Sequence, residues 1–405
     1  MSSEHPSSPS WSLSQYLPQE ETLEITRRKS QLFIGVPKET RLQEKRVSLT
    51  PEAVSLLTAH GHRVLVETHA GDGAKFSDHD YSEAGAEIAY DRKRVFEANI
   101  IVKVEPLSNE ELDLLTHKQF VFSSIQIKAR NKSYFEKLMK KKVSAISYES
   151  FLDDQGQYGV VRAMSEIAGN TSILIAAEYL SNVNDGKGYI MGGVSGIPPT
   201  QIVILGAGTV GSYAARAALG LGAQVKVFDK CLLKLRRLQE MLKSPIYTSV
   251  LNPNTLAHAL RECDVLIGAL RPEDGRSPCV VTEEMVKGMS PGSVIIDVSI
   301  DSGGCVETSE LCTHDKPIRS KHGVIHYGVP NIPSRVSRTA SIALSNILTP
   351  LLLDVADRGG IEETLRNKPN LQKGLYIYNG VLTSKIIGEW HSLPYSTANL
   401  LLGGM

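Results

Sequence analysis

The chain has 405 residues, 41% hydrophobic and 22% charged, the balance of a soluble globular protein with room for two domains. Lys plus Arg and Asp plus Glu number 44 each, so the formal net charge is zero; without a basic excess or block, this argues against nucleic-acid and membrane-surface binding. The cysteines (Cys231, Cys263, Cys279, Cys305, Cys312) are odd in number and form no CxxC pair, which argues against a secreted disulfide framework and against structural zinc; Cys305, Cys312 and His314 lack an evident fourth ligand.

Residues 1–30 are rich in Ser, Pro and Glu and read as a polar arm, with a short helix over 18–28 and no signal-peptide core. A buried strand is predicted over 32–36, ended by Pro37. Thr50, Pro51 and Glu52 start a helix: an N-cap hydroxyl, Pro at the first helical position, an acid in the first turn. It stops at Gly61, and a strand follows over 62–67. Further strands are predicted over 99–104, 119–123 and 143–147, with helical segments between them. One of these, over 131–141, ends in the basic run Lys140, Lys141, Lys142, where cations complement the helix dipole.

A long helix is predicted over 164–180, then a glycine-rich patch from Gly186 to Gly196. After Pro198 and Pro199 a second α/β unit follows, with strands over 202–205, 225–229, 265–269, 294–298 and 324–327. The tail from about Ser337 reads as mostly helical and is expected to pack back on the first unit. Its apolar stretch over 340–356 is broken by Pro350, Asp354 and other polar residues, and reads as too short and too polar to span a bilayer. The expected fold class is α/β: two Rossmann-like domains, each a doubly wound, mostly parallel sheet with helices on both faces. Residues 31–163 plus about 337–405 are expected to form one domain and 164–336 the other. No metal is expected, and the expected location is cytoplasmic.

The strand at 202–205 runs into Gly206-Ala-Gly208-Thr-Val-Gly211 and then a helix over 212–221. Strand, GxGxxG and helix in this order form a dinucleotide fingerprint. Gly206 allows the tight turn, Gly208 the approach of a pyrophosphate, and Gly211 close helix–strand packing. Backbone amides near Thr209 and Val210 are the expected phosphate donors. Asp229, at the end of the next strand, is placed to accept from the ribose hydroxyls and to favour NAD over NADP, with Lys230 and Lys234 nearby weakening that preference. In the first unit, Arg46 just before a helix start can grip a carboxylate with two hydrogen bonds, and Lys103 follows a buried strand at the end where α/β clefts open.

From Gln31 to about Gly388 the sequence resembles alanine dehydrogenase and the related nucleotide-binding subunit of proton-translocating transhydrogenase. The resemblance is carried by Gly35-Val-Pro-Lys-Glu-Thr40, Met164-Ser-Glu-Ile-Ala-Gly169, Met191-Gly-Gly-Val-Ser-Gly-Ile-Pro198, the glycine turn, Asp297-Val-Ser-Ile-Asp-Ser-Gly-Gly-Cys305 and Val329-Pro-Asn-Ile-Pro333. It implies reversible NAD-dependent oxidative deamination of L-alanine to pyruvate and ammonia, by a homo-oligomer, a hexamer. By the same resemblance Arg46 and Lys103 hold the substrate, and Ser165 contacts phosphate. Thr209, Val210, Asp229 and Lys234 line the adenosine half of NAD. Leu270, Val298, Ser299, Ile300, Asp301, Asn331 and Ile332 surround the nicotinamide. Asp301 matches the catalytic aspartate and, at the end of an apolar strand, is expected to be partly desolvated with a raised pKa.

Two departures stand out. Gln126 replaces the family's catalytic histidine; an amide can orient a carbonyl or water but cannot exchange a proton near pH 7. Arg271 to Arg276 replaces an apolar loop beside the nicotinamide. The favoured reading keeps Asp301 and Lys103 as proton carriers with Gln126 as a positioner. The alternatives are a transhydrogenase subunit, a saccharopine-type dehydrogenase with a larger substrate, and a catalytically silent NAD-binding regulator.

Overall fold

The structure, a computed structural model, describes residues 30–271 and 276–403. The helix expected over 18–28 and most of the 271–276 loop lie outside the described residues.

Fifteen strands form two sheets among the described residues. The first sheet contains β1 (Phe33–Val36), β2 (Arg63–Glu67), β3 (Glu87–Ala89), β4 (Ile100–Val102), β5 (Phe120–Ser123) and β6 (Ser144–Ser147). The second contains β7 (Gln201–Leu205), β8 (Gln224–Asp229), β9 (Tyr247–Val250), β10 (Val265–Gly268), β11 (Val294–Asp297), β12 (Ile318–Lys321) and β13 (Val324–Tyr327). The tail then adds β14 (Leu375–Tyr378) and β15 (Val381–Leu382) to the first sheet. The strand orders are β15-β14-β6-β5-β4-β1-β2-β3 and β12-β13-β11-β10-β7-β8-β9. Each contains the doubly wound order in which the first strand sits between the second and the fourth. The order therefore reverses at β1/β4 in one sheet and at β7/β10 in the other, and the carboxyl ends of these strands open a crevice. Only β12, β14 and β15 pair antiparallel.

The central strands are buried on both faces and read as continuous apolar runs, such as Ile202, Val203, Ile204 and Leu205. Their side chains divide between a core on each face of each sheet. Two long helices, Gly159–Leu180 and Ser337–Asp357, pack against each other and link the halves.

Several boundaries differ from expectation for local reasons. The long helix starts at Gly159 rather than 164, because Tyr158 at its N-cap makes no side-chain capping bond and leaves no start signal. The helix after the glycine turn starts at Thr209, capped by Gly208, whose missing side chain likewise leaves none. The tail is mostly helical as expected, and it also returns as two strands, β14 and β15. Strands β3, β9 and β12 escape the sequence pattern, being short or rich in polar edge positions. The cap at Thr50 holds: its side chain accepts from the Ala53 amide. The apolar tail helix corrects a further expectation. With the short turn that precedes it, it runs 26 residues, Ile332–Asp357, long and apolar enough to cross a membrane by length and composition. Half of that stretch is buried, with Leu344, Leu348 and Leu352 in the core beside the first sheet, so it serves as a core helix. All five cysteines are free thiols.

Candidate active site

After β1 the chain crosses the end of the first sheet in an extended segment, residues 37–50. Its backbone cannot pair in a sheet there, so side chains satisfy it. Serines spaced along the 332–357 stretch do this: Ser334, Ser341 and Ser345 accept from the amides of Lys45 (2.9 Å), Val47 (2.9 Å) and Thr50 (3.1 Å). Ser48 Oγ donates to the Val102 carbonyl at 2.7 Å, tying the segment to β4. Arg46 is thus presented at the β1/β4 reversal by both its own sheet and the linking helix.

The Arg46 guanidinium is mostly buried. Nε and Nη2 donate to the two oxygens of Glu44 at 2.8 and 2.6 Å, Nη1 faces Met164 Sδ at 3.5 Å, and Nη2 lies 3.6 Å from Glu105 Oε1. The two-bond grip foreseen for a substrate carboxylate is therefore made on Glu44 along the side edge of the guanidinium, leaving the Nη1/Nη2 edge for a ligand. Burial works against the charge on Arg46, but Glu44 outweighs it and raises its pKa. Burial would also raise Glu44, yet the Arg46 fork holds it below the ordinary value. Glu44 further accepts from Asn331 Nδ2 at 2.8 Å, so the 37–50 segment is latched to the half built on the second sheet. Gln43, which sequence reasoning passed over, adds to the latch by accepting from the His314 amide and donating to Asp315, each at 2.8 Å.

Lys103 is not where it was expected to act. Its side chain is 1% exposed, its ammonium bonded to Glu39 and 3.6 Å from Glu111. Burial disfavours its charge, but the carboxylates prevail and raise its pKa. Burial pushes Glu39 up to about 7 even against the pull of Lys103. The physical reason for the difference lies in the neighbours: directly after β4, Lys103 is enclosed by Glu39 and Glu111, while Glu105, two residues on, lies beside Arg46. Glu105 is 4% exposed and accepts from Arg41 Nη1 (2.5 Å) and from Gln126 Nε2 (2.7 Å). Gln126, in the left-handed region at φ 47°, also accepts from Arg41 at 2.6 Å, so both ends of its amide are engaged. Glu39, Glu44 and Glu105 are functional candidates that no residue spacing marks.

Across the crevice, Gly206 sits at φ 104° and donates to the Phe228 carbonyl at 2.7 Å. A Cβ on Gly206 would strike the Ala269 carbonyl, and one on Gly211 the Gly206 carbonyl. A Cβ on Gly208 would meet nothing within 4 Å, and the Thr209–Gly220 helix has no side-chain cap over its first amides. Open space at Gly208 in front of uncapped amides fits a dinucleotide pyrophosphate. Thr209 and Val210 are half-buried at this rim, Lys234 is exposed, and Ser165 is half-buried with its hydroxyl donating back to Val161. Asp229 is buried, and its oxygens accept from the Ala207 and Cys231 amides at 2.7 Å each, so it braces the turn itself. Ser299 Oγ joins the ends of β10 and β11 by donating to the Leu270 and Gly268 carbonyls. Leu270 follows β10, Val298 and Ile300 follow β11, and Asn331 and Ile332 follow β13. Asp301 lies on a short turn, Ile300–Ser302, four residues beyond β11, and is exposed rather than desolvated. The carboxylate buried at the strand end is Asp297, which accepts from the amides of Ser299, Cys305 and Val306; burial raises its pKa.

Comparison with known proteins agrees with this architecture. The family described as alanine dehydrogenase/PNT matches as an N-terminal domain over residues 35–168 and a C-terminal domain over 172–385. The alanine dehydrogenase of Methanococcus maripaludis is 39% identical over 373 residues, 92% of this chain and 100% of the relative. That of Bacillus subtilis is 41% identical over 372 residues, 92% and 98%. A solved L-alanine dehydrogenase superposes with a TM-score of 0.83 at 38% identity, covering 88% of this chain and 98% of its own. A transhydrogenase from Sinorhizobium meliloti has a TM-score of 0.75 at 22% identity, covering 87% and 99%.

Proposed function

The chain belongs to the alanine dehydrogenase/PNT family, and from that premise we propose that it catalyses the reversible NAD-dependent oxidative deamination of L-alanine to pyruvate and ammonia. The observation that carries this reading is end-to-end identity of 39–41% with curated alanine dehydrogenases, against 22% with the transhydrogenase. Residues 31–163 with the tail from about 337 form the substrate half, and 164–336 the nucleotide half.

NAD, when bound, accepts the hydride from the substrate Cα. The residues that would hold it are Gly206, Gly208, Thr209, Val210 and Gly211 at the pyrophosphate. Ser165, Asp229 and Lys234 lie toward phosphate and adenosine. Leu270, Val298 to Asp301, Asn331 and Ile332 lie around the nicotinamide. Arg46 binds the substrate carboxylate through its Nη1/Nη2 edge. Asp301 takes the proton from the water that adds to the imine carbon, and ammonia leaves. Gln126, fixed by Arg41 and Glu105, positions rather than exchanges protons. Lys103 acts from below by holding Glu39, whose carboxylate accepts from the Val104 amide and shapes the loop that carries Glu105.

Assembly into a homo-oligomer, a hexamer by family likeness, is supported by exposed apolar side chains clustered in sequence: Leu174, Val183, Tyr189, Ile190, Val194 and Ile197. A cytoplasmic location is consistent with five free thiols.

Purified protein given L-alanine and NAD should generate NADH absorbance. Asp301→Asn should retain NAD binding and lose kcat by about 10²- to 10⁴-fold; unchanged turnover would remove Asp301 from its role. The doubly engaged Gln126 amide favours one second reading, a silent NAD-binding regulator. NADH binding with no turnover in the wild type, and turnover restored by Gln126→His, would establish it.

A further inference from the structure

The sequence led us to expect two cations around a small acid; the structure instead sets one cation beside one anion. Arg46 Nη2 and Glu105 Oε1 lie 3.6 Å apart at the end of β4, and the expected second cation, Lys103, is enclosed by Glu39 and Glu111. An α-amino acid carries its ammonium and its carboxylate on one carbon. A guanidinium and a carboxylate in near contact therefore match it when each exchanges its neighbour for the ligand's opposite charge.

Glu105 is the carboxylate able to make that exchange. Glu44 is committed to Arg46 along two hydrogen bonds and to Asn331 by a third. Glu39 lies with Lys103 and the Val104 amide. Glu105, itself 95% shielded on its side chain, is covered from the solvent side by Arg41, whose side chain is 54% exposed. A buried carboxylate needs a charged or hydrogen-bonding partner, and an exposed guanidinium is one it can give up at little cost. Gln126 Nε2 stays as the second donor and fixes the carboxylate's orientation.

We infer that Glu105 receives the α-ammonium group of the substrate while Arg46 holds its carboxylate, with Arg41 displaced toward solvent. This rests on the amino-acid dehydrogenase reading above. It makes the site selective for zwitterions: the keto acid offers Glu105 no donor, and a plain carboxylic acid binds through Arg46 alone.

The test compares L-alanine with propionate, which has the carboxylate and lacks the amino group, in the wild type and Glu105→Gln. Losing one charge-assisted hydrogen bond should raise the alanine KM about 10- to 100-fold and leave the competitive Ki of propionate within about twofold. A matching rise for both ligands would make Glu105 a support for Arg46, and no rise for either would make it a bystander; each overturns the inference. If Glu105→Gln does not bind NADH and so is misfolded, Glu105→Asp decides, with alanine weakened and propionate spared as the supporting result and equal effects as the overturning one. If the wild type oxidises no alanine, the proposed function fails. Calorimetry on the NADH-loaded protein then decides Glu105 by itself: alanine binding tighter than propionate, with the difference lost in Glu105→Gln, supports it. Equal binding, or none, overturns it.

Discussion

The glycine turn at Gly206–Gly211 and the wall around Arg46 lie at equivalent points of two similarly ordered sheets, yet they are held by different forces. The turn works through backbone: a positive φ at Gly206, an open position at Gly208, and close packing at Gly211. Its one buried charge, Asp229, is spent on two backbone amides. The wall works through side-chain charge: Arg46, Lys103, Glu39, Glu44, Glu105 and Glu111 are all almost fully enclosed, each set against an opposite charge. A doubly wound order supplies the crevice in both cases, and what fills it is set by local chemistry. It follows that defects in the wall should appear as lost stability, and defects in the turn as lost cofactor binding.

Lys103→Met probes the wall hardest. It strands Glu39 without its cation and leaves Glu111 with Arg92 alone, 3.8 Å away, and removing one member of a buried pair costs about 3–5 kcal/mol. Urea unfolding should show the loss, and Lys103→Met combined with Glu39→Gln should recover part of it. A fully stable Lys103→Met protein with a raised alanine KM would instead mean that the ammonium serves the substrate directly. The matching probe of the turn is Gly208→Val. A Cβ there meets no protein atom within 4 Å, so the unfolding midpoint should hardly move. NAD affinity should fall roughly 100-fold, since the pyrophosphate would lose its approach to the helix amides. Equal losses of stability in the two variants would erase the contrast.

The same contrast explains what was readable in the sequence. Glycines at fixed spacing between an apolar strand and a helix encode geometry locally, so the turn, its strand order and the acid at Asp229 were legible, even though Asp229 proved to brace the turn. Charge partners come from distant positions: Arg46 meets Glu105 and Lys103 meets Glu39 across more than fifty residues, and no local pattern encodes that. Hence Lys103 was legible as a residue at a cleft-forming strand end, while its burial and the anionic side chain beside Arg46 were not. Asp301 shows the limit of reading by strand: an apolar run predicted a desolvated acid at its end, and the structure gives that place to Asp297 and puts Asp301 on the turn beyond. The strands missed are of two kinds: β3, β9 and β12 have most positions only partly buried or exposed, and β14 and β15 lie in the tail that reads as helical.

The smallest effect tests whether burial or pairing governs the wall. Burial lifts Glu39 from its ordinary 4.5 to about 7, with Lys103 opposing. Between those values the folded chain binds more protons at this position than the unfolded chain, so its contribution is complete below about pH 4.5 and is lost as pH rises through about 7. Glu44 has the opposite sign: Arg46 holds it low, so its contribution is present above the ordinary carboxylate range and lost in acid. Subtracting the urea-unfolding free energies of Glu39→Gln from those of the wild type isolates the first. The difference should decline by about 1–3 kcal/mol across that window, a full 2.5-unit shift setting the ceiling at 1.36 kcal/mol per unit. A flat difference would mean that Lys103 keeps Glu39 ionised throughout and that pairing prevails over burial. Gly208→Val changes no titrating group, so its stability should follow the wild-type pH profile in either case.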